Sequence, residues 1–471
     1  MAARMQRGLL PRAPDTDVDV AVVGGGISGL AAAYELQARR VPHVLIERSS
    51  RLGGVIRTEQ VDGFTIDGGP DALLVQKPAA IGLCGELGLA GRLVPTREPR
   101  TAFVLRAGRL HALPDYSVLG IPTRLLPLVT SGLLSARGRL RMALERVVPG
   151  RPAGDGDDES IASFFGRRFG REVVDYIAEP LLAGIHAGDV ERLSVRALFP
   201  RLLEAEARHG SIIRGLGSLR AGRSAHGLFR SLPGGIGELV AALARTLDPA
   251  AVRTGVGVTR LAGRGPYRLE LTGGGPVCAR QVVLAVPAHA AARLVRPLDA
   301  DLAALCGGIP YTSTATVALG YARPDVGHAL RGTGFVVPRV ERRVSLMAAT
   351  WVSSKWPHRA PPGHVLLRGF LGGARDGAVL ARADADLIDC VHRDFGKLLG
   401  VRGAPVVARV YRWPRLNPQH EVGHLARLTA IEARLDRLPG LRLIGAAFGG
   451  VGLPDCIAQG RAAAAGAART R

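Results

Sequence analysis

The pattern of apolar and polar positions opens on a strand–turn–helix–strand unit. Residues 18–23 form an apolar run broken only by Asp19, which reads as a buried strand. A glycine cluster follows at Gly24, Gly25, Gly26 and Gly29, then a helix-forming stretch, then a second apolar run ending on Glu47. A similar pattern returns at 441–468: a strand over 441–444, a glycine-rich loop, and a helix starting near Pro454-Asp455. Between the two ends, 238–247 reads as an apolar helix and 256–259 and 268–271 as strands. The run 282–287 reads as a buried parallel strand stopped by Pro287. Residues 300–420 alternate short β-like runs (315–321, 335–338, 345–352, 365–371, 406–411) with turns, and a helix is expected over 384–399. This is the pattern of an antiparallel sheet able to roof a cofactor.

Residues 90–210 differ, being helical in pattern and rich in Leu and Arg. Within 136–148, Leu140, Ala143, Leu144, Val147 and Val148 recur at helical spacing, with Arg137, Arg139, Arg141 and Arg146 mainly off that stripe. Just before it, 121–134 is apolar but broken by Pro122, Arg124 and Pro127. Such a pair could lie in the plane of a membrane, but the pattern more simply predicts a solvated helix with its stripe in the core. Residues 150–158 read as a loop, with Ser160 or Asp158 as a helix cap.

A length of 471 residues allows two or three domains with sizeable cores. The net charge of +22 comes with 62 basic residues, of which only Lys77, Lys355 and Lys397 are lysines. That arginine bias is partly compositional, and the rest suits an anionic membrane surface or a polycarboxylate ligand. With 4% aromatic residues and no nucleic-acid module in view, nucleic acid is not expected as a partner. The five cysteines are scattered without a C-x-x-C pair, which suits reduced thiols in the cytoplasm and no structural metal. No apolar run reaches the length of a spanning helix. Residues 1–15 read as a disordered extension.

The first glycine cluster is a G-x-G-x-x-G phosphate cradle in its proper setting. Gly24 permits the tight turn, Gly26 lets the backbone approach a pyrophosphate, and Gly29 lets the helix pack on the strand. The helix start at Ile27-Ser28 offers unpaired N–H groups. Glu47, 18 residues past Gly29, is placed to accept ribose hydroxyls. The segments around Gly53-Gly54 and Gly69-Pro70, and the second glycine turn before Asp455, favour FAD over NAD. A second helix start could face the flavin pyrimidine edge, which a nicotinamide enzyme does not need.

Several segments then resemble one family: 160–170 (SIASFFGRRFG), 179–189 (EPLLAGIHAGD), Leu193-Ser194, 233–239 (PGGIGEL), 283–287, Pro418-Gln419-His420 with Gly423-His424, and 449–456. They are similar to the oxygen-dependent protoporphyrinogen/coproporphyrinogen oxidases, FAD-dependent flavoproteins of the amine oxidase-like group. The resemblance runs from about residue 17 to 470. It implies non-covalent FAD and a helical membrane-binding-type domain. It also implies removal of six electrons and six hydrogens from a porphyrinogen in three two-electron steps. Each step would pass a hydride to flavin N5, with oxygen as acceptor and hydrogen peroxide released. The cofactor carries that chemistry, so position and electrostatics are the protein's share and no catalytic side chain is expected.

The expected fold is α/β plus α+β. A discontinuous Rossmann-type FAD-binding domain would span 16–85, 231–300 and 421–471. An antiparallel-sheet substrate domain would span 86–100, 206–230 and 301–420, and the helical domain 101–205. Expected cofactor contacts are Gly24, Gly25, Gly26, Ile27, Ser28, Gly29, Glu47, Arg48, Gly53, Gly54, Val55, Gly69, Pro70, Asp71, Ala72, Val258, Trp413, Val451, Gly452 and Leu453. For substrate, the resemblance points to Arg100 as a propionate clamp, with Arg97 as the alternative register. Asp71 would stand near a pyrrole N–H, and Val336 and Trp351 would be apolar walls. An anionic membrane surface, ferrochelatase-type pathway enzymes and a second copy of the chain are implied partners. Protoporphyrinogen and coproporphyrinogen both remain open as substrate. So do an amine oxidase or carotenoid desaturase activity and an FAD-holding carrier, although Cys456 after Pro454-Asp455 does not fit the covalent-flavin amine oxidases.

Overall fold

The computed structural model describes residues 17–113, 117–118, 121–122, 132–150, 158–218 and 227–469. Residues 1–15 and most of 121–134 lie outside them.

Two seven-stranded sheets organise the chain. The first is built around Val18–Val23, which pairs in parallel with His43–Glu47 on one side and Val277–Leu284 on the other. Val252–Thr254 and Leu441–Leu443 extend the parallel set, and an antiparallel meander of Val258–Gly263 and Tyr267–Leu271 joins at Val277–Leu284. Segments far apart in sequence thus share one sheet, because the apolar strands bury both faces. The Ile27–Ala38 helix covers one face and packs along the last helix, Leu453–Arg469. A Cβ on Gly460 would sit 2.2 Å from the Ser28 carbonyl oxygen, and Arg461 reaches Glu35 at 2.9 Å. Residue 460 meets 28 and 461 meets 35, so the two helices run parallel and begin at the same edge of the sheet.

The second sheet runs Val407–Pro418, Tyr311–Ala322, His364–Gly372, Ala348–Trp351, Gly334–Val336, Ala102–Arg106, Arg109–Ala112. The five runs expected within 300–420 all appear, and the helix is found at Asp384–Leu399. One correction concerns Ala102–Ala112. That hairpin, grouped by sequence with the helical segment, pairs in parallel with Gly334–Val336 and completes the sheet. Its partner strand lies some 230 residues away, so no local pattern announces the pairing.

A helical lobe packs around Phe164, Phe165, Phe169, Ile177 and Leu202. Ser160 caps the Ile161–Phe169 helix, its Oγ accepting from the Ser163 N–H at 3.1 Å. Val174–Ala183 is wound as a π-helix around Pro180, whose missing N–H the wider turn accommodates. The Ala136–Ala143 helix and the turn after it reverse the expectation of a buried stripe. Leu140, Leu144 and Val147 are 64%, 47% and 73% exposed, whereas Met142 and Glu145 are fully buried. Glu145 faces inward because Arg168, itself fully buried, needs a carboxylate there. Among the described residues, no helix is long and apolar enough to cross a membrane.

Candidate functional site

The first glycine turn has the geometry of a phosphate cradle. Gly24 holds φ at +108°, and a Cβ there would lie 2.5 Å from the Ala285 carbonyl oxygen. A Cβ on Gly29 would lie 1.9 Å from the Gly24 carbonyl oxygen, so helix and turn close on each other only as glycines. Gly26 is the opposite case, since a Cβ there would meet no protein atom within 4 Å. It caps the Ile27–Ala38 helix with no side chain, leaving the first N–H groups of the helix to an outside acceptor. This open cradle fits a pyrophosphate.

Glu47 stands at the strand end beside it. Its Oε2 accepts from the Gly25 N–H at 2.6 Å, and its Oε1 from the Ser49 N–H and hydroxyl at 2.7 Å. Oε2 keeps a lone pair for a ribose hydroxyl, while Oε1 is taken up by Ser49. Arg48 and Val258 flank this end: the Arg48 side chain lies against Gly257, and the Val256 N–H bonds the Glu47 carbonyl. Gly53 and Gly54 run alongside the turn, with a Gly26–Gly53 bridge and a Gly54 Cβ position 3.1 Å from Gly26 Cα. Arg51, absent from the expected contacts, pins this loop by donating to the carbonyls of Leu52, Gly54 and Ile56.

The loop at 68–72 continues the same surface. A Cβ on Gly69 would lie 2.0 Å from the Val55 carbonyl oxygen, and one on Gly68 2.4 Å from the Tyr411 ring. Trp413 donates from Nε1 to the Gly68 carbonyl at 3.1 Å, and Arg368 donates from one nitrogen to the carbonyls of Asp67 and Gly69 at 2.6 and 2.9 Å. Ala72 packs beside Trp413 in the same cluster. At the other end, Val451 and Gly452 lead into the Leu453–Arg469 helix. Lys77 holds Asp455 in its first turn, 2.7 Å to each carboxylate oxygen. The structure therefore brings the expected cofactor residues to one edge.

Substrate expectations fare differently. Across the second sheet, Val104, Val336, Ala348, Phe370, Thr316 and Tyr411 are successive register partners and share one face. Arg368, two residues before Phe370, shows that this face turns toward the Gly68–Gly69 loop. Val336 lies on it, where the helical lobe meets the sheet. Trp351 does not. It is fully buried on the opposite face, against Phe103, His328 and Phe335. Strand alternation puts Thr350, not Trp351, on the cofactor side.

Asp71 is engaged from within the protein. Its side chain is buried, with Lys355 Nζ at 3.1 Å, Trp356 Nε1 at 3.0 Å and Arg368 at 3.3 Å on one oxygen. Burial works to raise its pKa, but Lys355 and Arg368 outweigh it and hold the carboxyl far below the usual range. It anchors the loop through Oδ2, and its Oδ1 has Lys355 at 3.3 Å.

Arg100 stands two residues before Ala102 on the same strand side, at the rim of that face. Its guanidinium meets Glu98 at 3.2 Å and its Nε donates to the Thr96 carbonyl. Arg97 is exposed, and its backbone N–H bonds the Lys355 carbonyl.

The motifs also gain physical roles. Glu179 binds Arg375 at 2.8 Å and the Arg339 N–H at 2.9 Å, tying the π-helix to the sheet. Gln419 Nε2 donates to the carbonyls of His186 and Asn417 and to Thr312 Oγ1. In the PGGIGEL turn, the Ile236 N–H reaches Asp67 Oδ1 at 3.1 Å. Sequence reasoning missed Phe370, Ala348, Thr350 and Arg368. Only period-2 alternation within 345–352 and 365–371 pointed to them, and it does not say which face is which.

Two parallel helix starts, a side-chain-free cradle and a roofing sheet define a dinucleotide-binding flavoprotein of the two-part type. The family model for flavin containing amine oxidoreductases matches residues 27–468. The chain is 38% identical over 459 residues to "Coproporphyrinogen III oxidase" of Bacillus subtilis, covering 94% of this chain and 96% of that protein. It is 30% identical to the chloroplastic protoporphyrinogen oxidase of Nicotiana tabacum, covering 94% and 84%. A solved structure from Exiguobacterium sp. 255-15, provisionally described as a protoporphyrinogen oxidase, superposes with a TM-score of 0.86 at 32% identity, covering 97% of this chain and all of that one. The chain belongs to the flavin-containing amine oxidoreductases and, within them, to the protoporphyrinogen/coproporphyrinogen oxidase family. Its cofactor is FAD.

Proposed function

We propose that this enzyme oxidises coproporphyrinogen III to the porphyrin in haem biosynthesis, with oxygen as the final acceptor. The observation carrying this reading is the 38% identity to the Bacillus subtilis enzyme along 96% of its length. Bound FAD supplies the acceptor for the two electrons of each step, and hydrogen peroxide leaves with them. The chain's own residues do the rest. The cradle holds the pyrophosphate, and Glu47 the ribose. The face of Val336, Ala348, Thr350 and Phe370 offers a flat, weakly polar wall against which a macrocycle rotates between steps while water is excluded. No acid–base pair is required in this scheme.

The test is anaerobic bleaching of the flavin followed by aerobic turnover, with coproporphyrinogen III and protoporphyrinogen IX in parallel. Growth of porphyrin fluorescence with peroxide release, and the higher kcat/KM for coproporphyrinogen III, is expected. No bleaching with either, in fully FAD-loaded protein, rejects the reading. The flavin should leave on acid denaturation, because burial pushes the Cys456 thiol up to about 11 and keeps it an unreactive thiol.

Arg100 is proposed as a propionate clamp at the rim. Its partner Glu98 is mostly exposed, and such an ion pair exchanges readily for a substrate carboxylate. Arg100→Ala is expected to raise KM by about 10- to 100-fold with little change in kcat, since a charged hydrogen bond is worth about 1.5–3 kcal/mol. An unchanged KM removes Arg100 from the site.

The exposed stripe of Leu140, Leu144 and Val147, flanked by Arg137, Arg139 and Arg146, supports docking in the plane of an anionic membrane. Replacing all three apolar residues by serine should cut co-sedimentation with phosphatidylglycerol vesicles about tenfold or more, since each loses apolar area worth up to about 1.5–3 kcal/mol. Wild-type protein that stays in the supernatant counts against it.

A further inference from the structure

Behind the Gly68–Gly69 loop, the chain gathers five ionisable side chains whose charges do not cancel. Asp67 and Arg359 face each other at 2.9 Å, both essentially buried. Asp71 takes Lys355 and Arg368 on one oxygen, at 3.1 and 3.3 Å. Three cations therefore stand against two carboxylates. Among the described residues, Asp67 Oδ2 and the Nε atoms of Arg359 and Arg368 have no hydrogen-bond partner, so charge here is matched by ion-pair contact alone. Burial raises the Asp67 pKa against the pull of Arg359, and any protonation there only enlarges the excess. Of the outer charges, Glu238, which interacts with Arg359, is paired with Arg92 at 2.7 Å, and Glu59 is shared by Arg57 at 2.6 Å and Arg409 at 3.4 Å.

This cluster is built against the cofactor surface. Arg368 holds the Asp67 and Gly69 carbonyls, Gly69 packs on the Val55 carbonyl, and Gly54 packs on Gly26 of the cradle. A macrocycle wall needs no charge there, and loop anchoring needs only a matched pair. Lys355, one of three lysines in a chain that otherwise uses arginine, shares Asp71 with Arg368, so these two cations have one carboxylate between them.

We infer that the Asp67–Asp71–Lys355–Arg359–Arg368 cluster tunes the electron affinity of the flavin. Its excess positive charge, completed by Lys355, favours the negative charge that the ring gains on reduction. A charge held in a low-dielectric interior is little screened by salt and water. These are positioning and tuning residues, because they act through the loop and the field and touch no reacting atom.

The midpoint potential of the FAD-loaded protein, measured by equilibration with a reference dye and without porphyrinogen, tests this apart from the substrate assignment. Lys355→Met should lower the ratio of reduced to oxidised flavin about tenfold at fixed dye ratio, which is about 30 mV for a two-electron couple. Asp71→Asn removes a negative charge and should shift the ratio the other way. A loop anchor alone would leave the potential unchanged or move both variants in one direction, and either result overturns the inference. Lys355 is partly exposed and Asp71 keeps Trp356 and Arg368 without it, so the lysine variant should fold and load FAD. Should Asp71→Asn fail to hold FAD, the lysine variant decides alone: a fall supports the inference, and no fall or a rise overturns it.

Discussion

Gly29→Val yields a protein that retains no FAD. The Cβ position of Gly29 is 1.9 Å from the Gly24 carbonyl oxygen, and that contact is backbone, so no side chain can yield. Valine there forces the Ile27–Ala38 helix off the Val18–Val23 strand and breaks the turn whose N–H groups receive the pyrophosphate. The expected result is loss of absorbance near 450 nm per polypeptide after desalting. Thermal stability falls too, through lost packing and through lost ligand linkage, the latter alone about 4 kcal/mol at a thousandfold excess of FAD over its Kd. Gly26→Ala separates the two causes. Its methyl meets no protein atom within 4 Å, so the apoprotein should melt where the wild-type apoprotein does, yet FAD affinity should drop because the methyl stands where the phosphate approaches. A Gly26→Ala protein with undiminished flavin content would place the pyrophosphate elsewhere.

That cradle was legible in the sequence because its requirements are local. A positive φ at Gly24 and close helix–strand contact at Gly29 are satisfied within six residues, and glycine is the residue that satisfies them. The Asp384–Leu399 helix was legible for the same reason, its apolar face repeating over four turns between clear stops. What escaped was decided by partners far along the chain. Trp351 and Thr350 are neighbours with equal claim to the cofactor side, and the Asp384–Leu399 helix fixes the parity by packing on the face that holds Trp351. Asp71 looked like a loop carboxylate facing a ligand, but Lys355, Trp356 and Arg368, some 280 to 300 residues later, claim it. The stripe over 136–148 misled most, since its period was right and its direction inverted.

The cause of that inversion can be tested directly. Glu145 accepts from Arg168, from the Ser211 hydroxyl at 2.6 Å, and from the N–H groups of Ile212 and Ile213 at 2.7 and 3.4 Å. It thereby caps the Ile212–Ser218 helix and neutralises a guanidinium with no exposure to water. Glu145→Ala strips Arg168 of its closest counter-charge, leaving Glu206 at 3.4 Å, which already serves Arg167. Removing one partner of a buried pair costs about 3–5 kcal/mol, so the helical lobe should unfold at lower denaturant than the rest. Limited proteolysis should then cut within 136–218 while FAD stays bound, since the cradle and the two parallel helices lie in the other sheet's layer. Glu145→Gln, which keeps most hydrogen bonds but not the charge, should recover part of the loss. The same substitution bears on the membrane proposal. With Glu145 gone, the inward side of this segment keeps only Met142 and the Arg141 bonds to the Arg167 and Arg168 carbonyls, so Leu140, Leu144 and Val147 are held outward less firmly. Vesicle binding should fall together with lobe stability, at denaturant-free conditions and with FAD content unchanged. Retained vesicle binding in a destabilised lobe would mean that another surface meets the lipid.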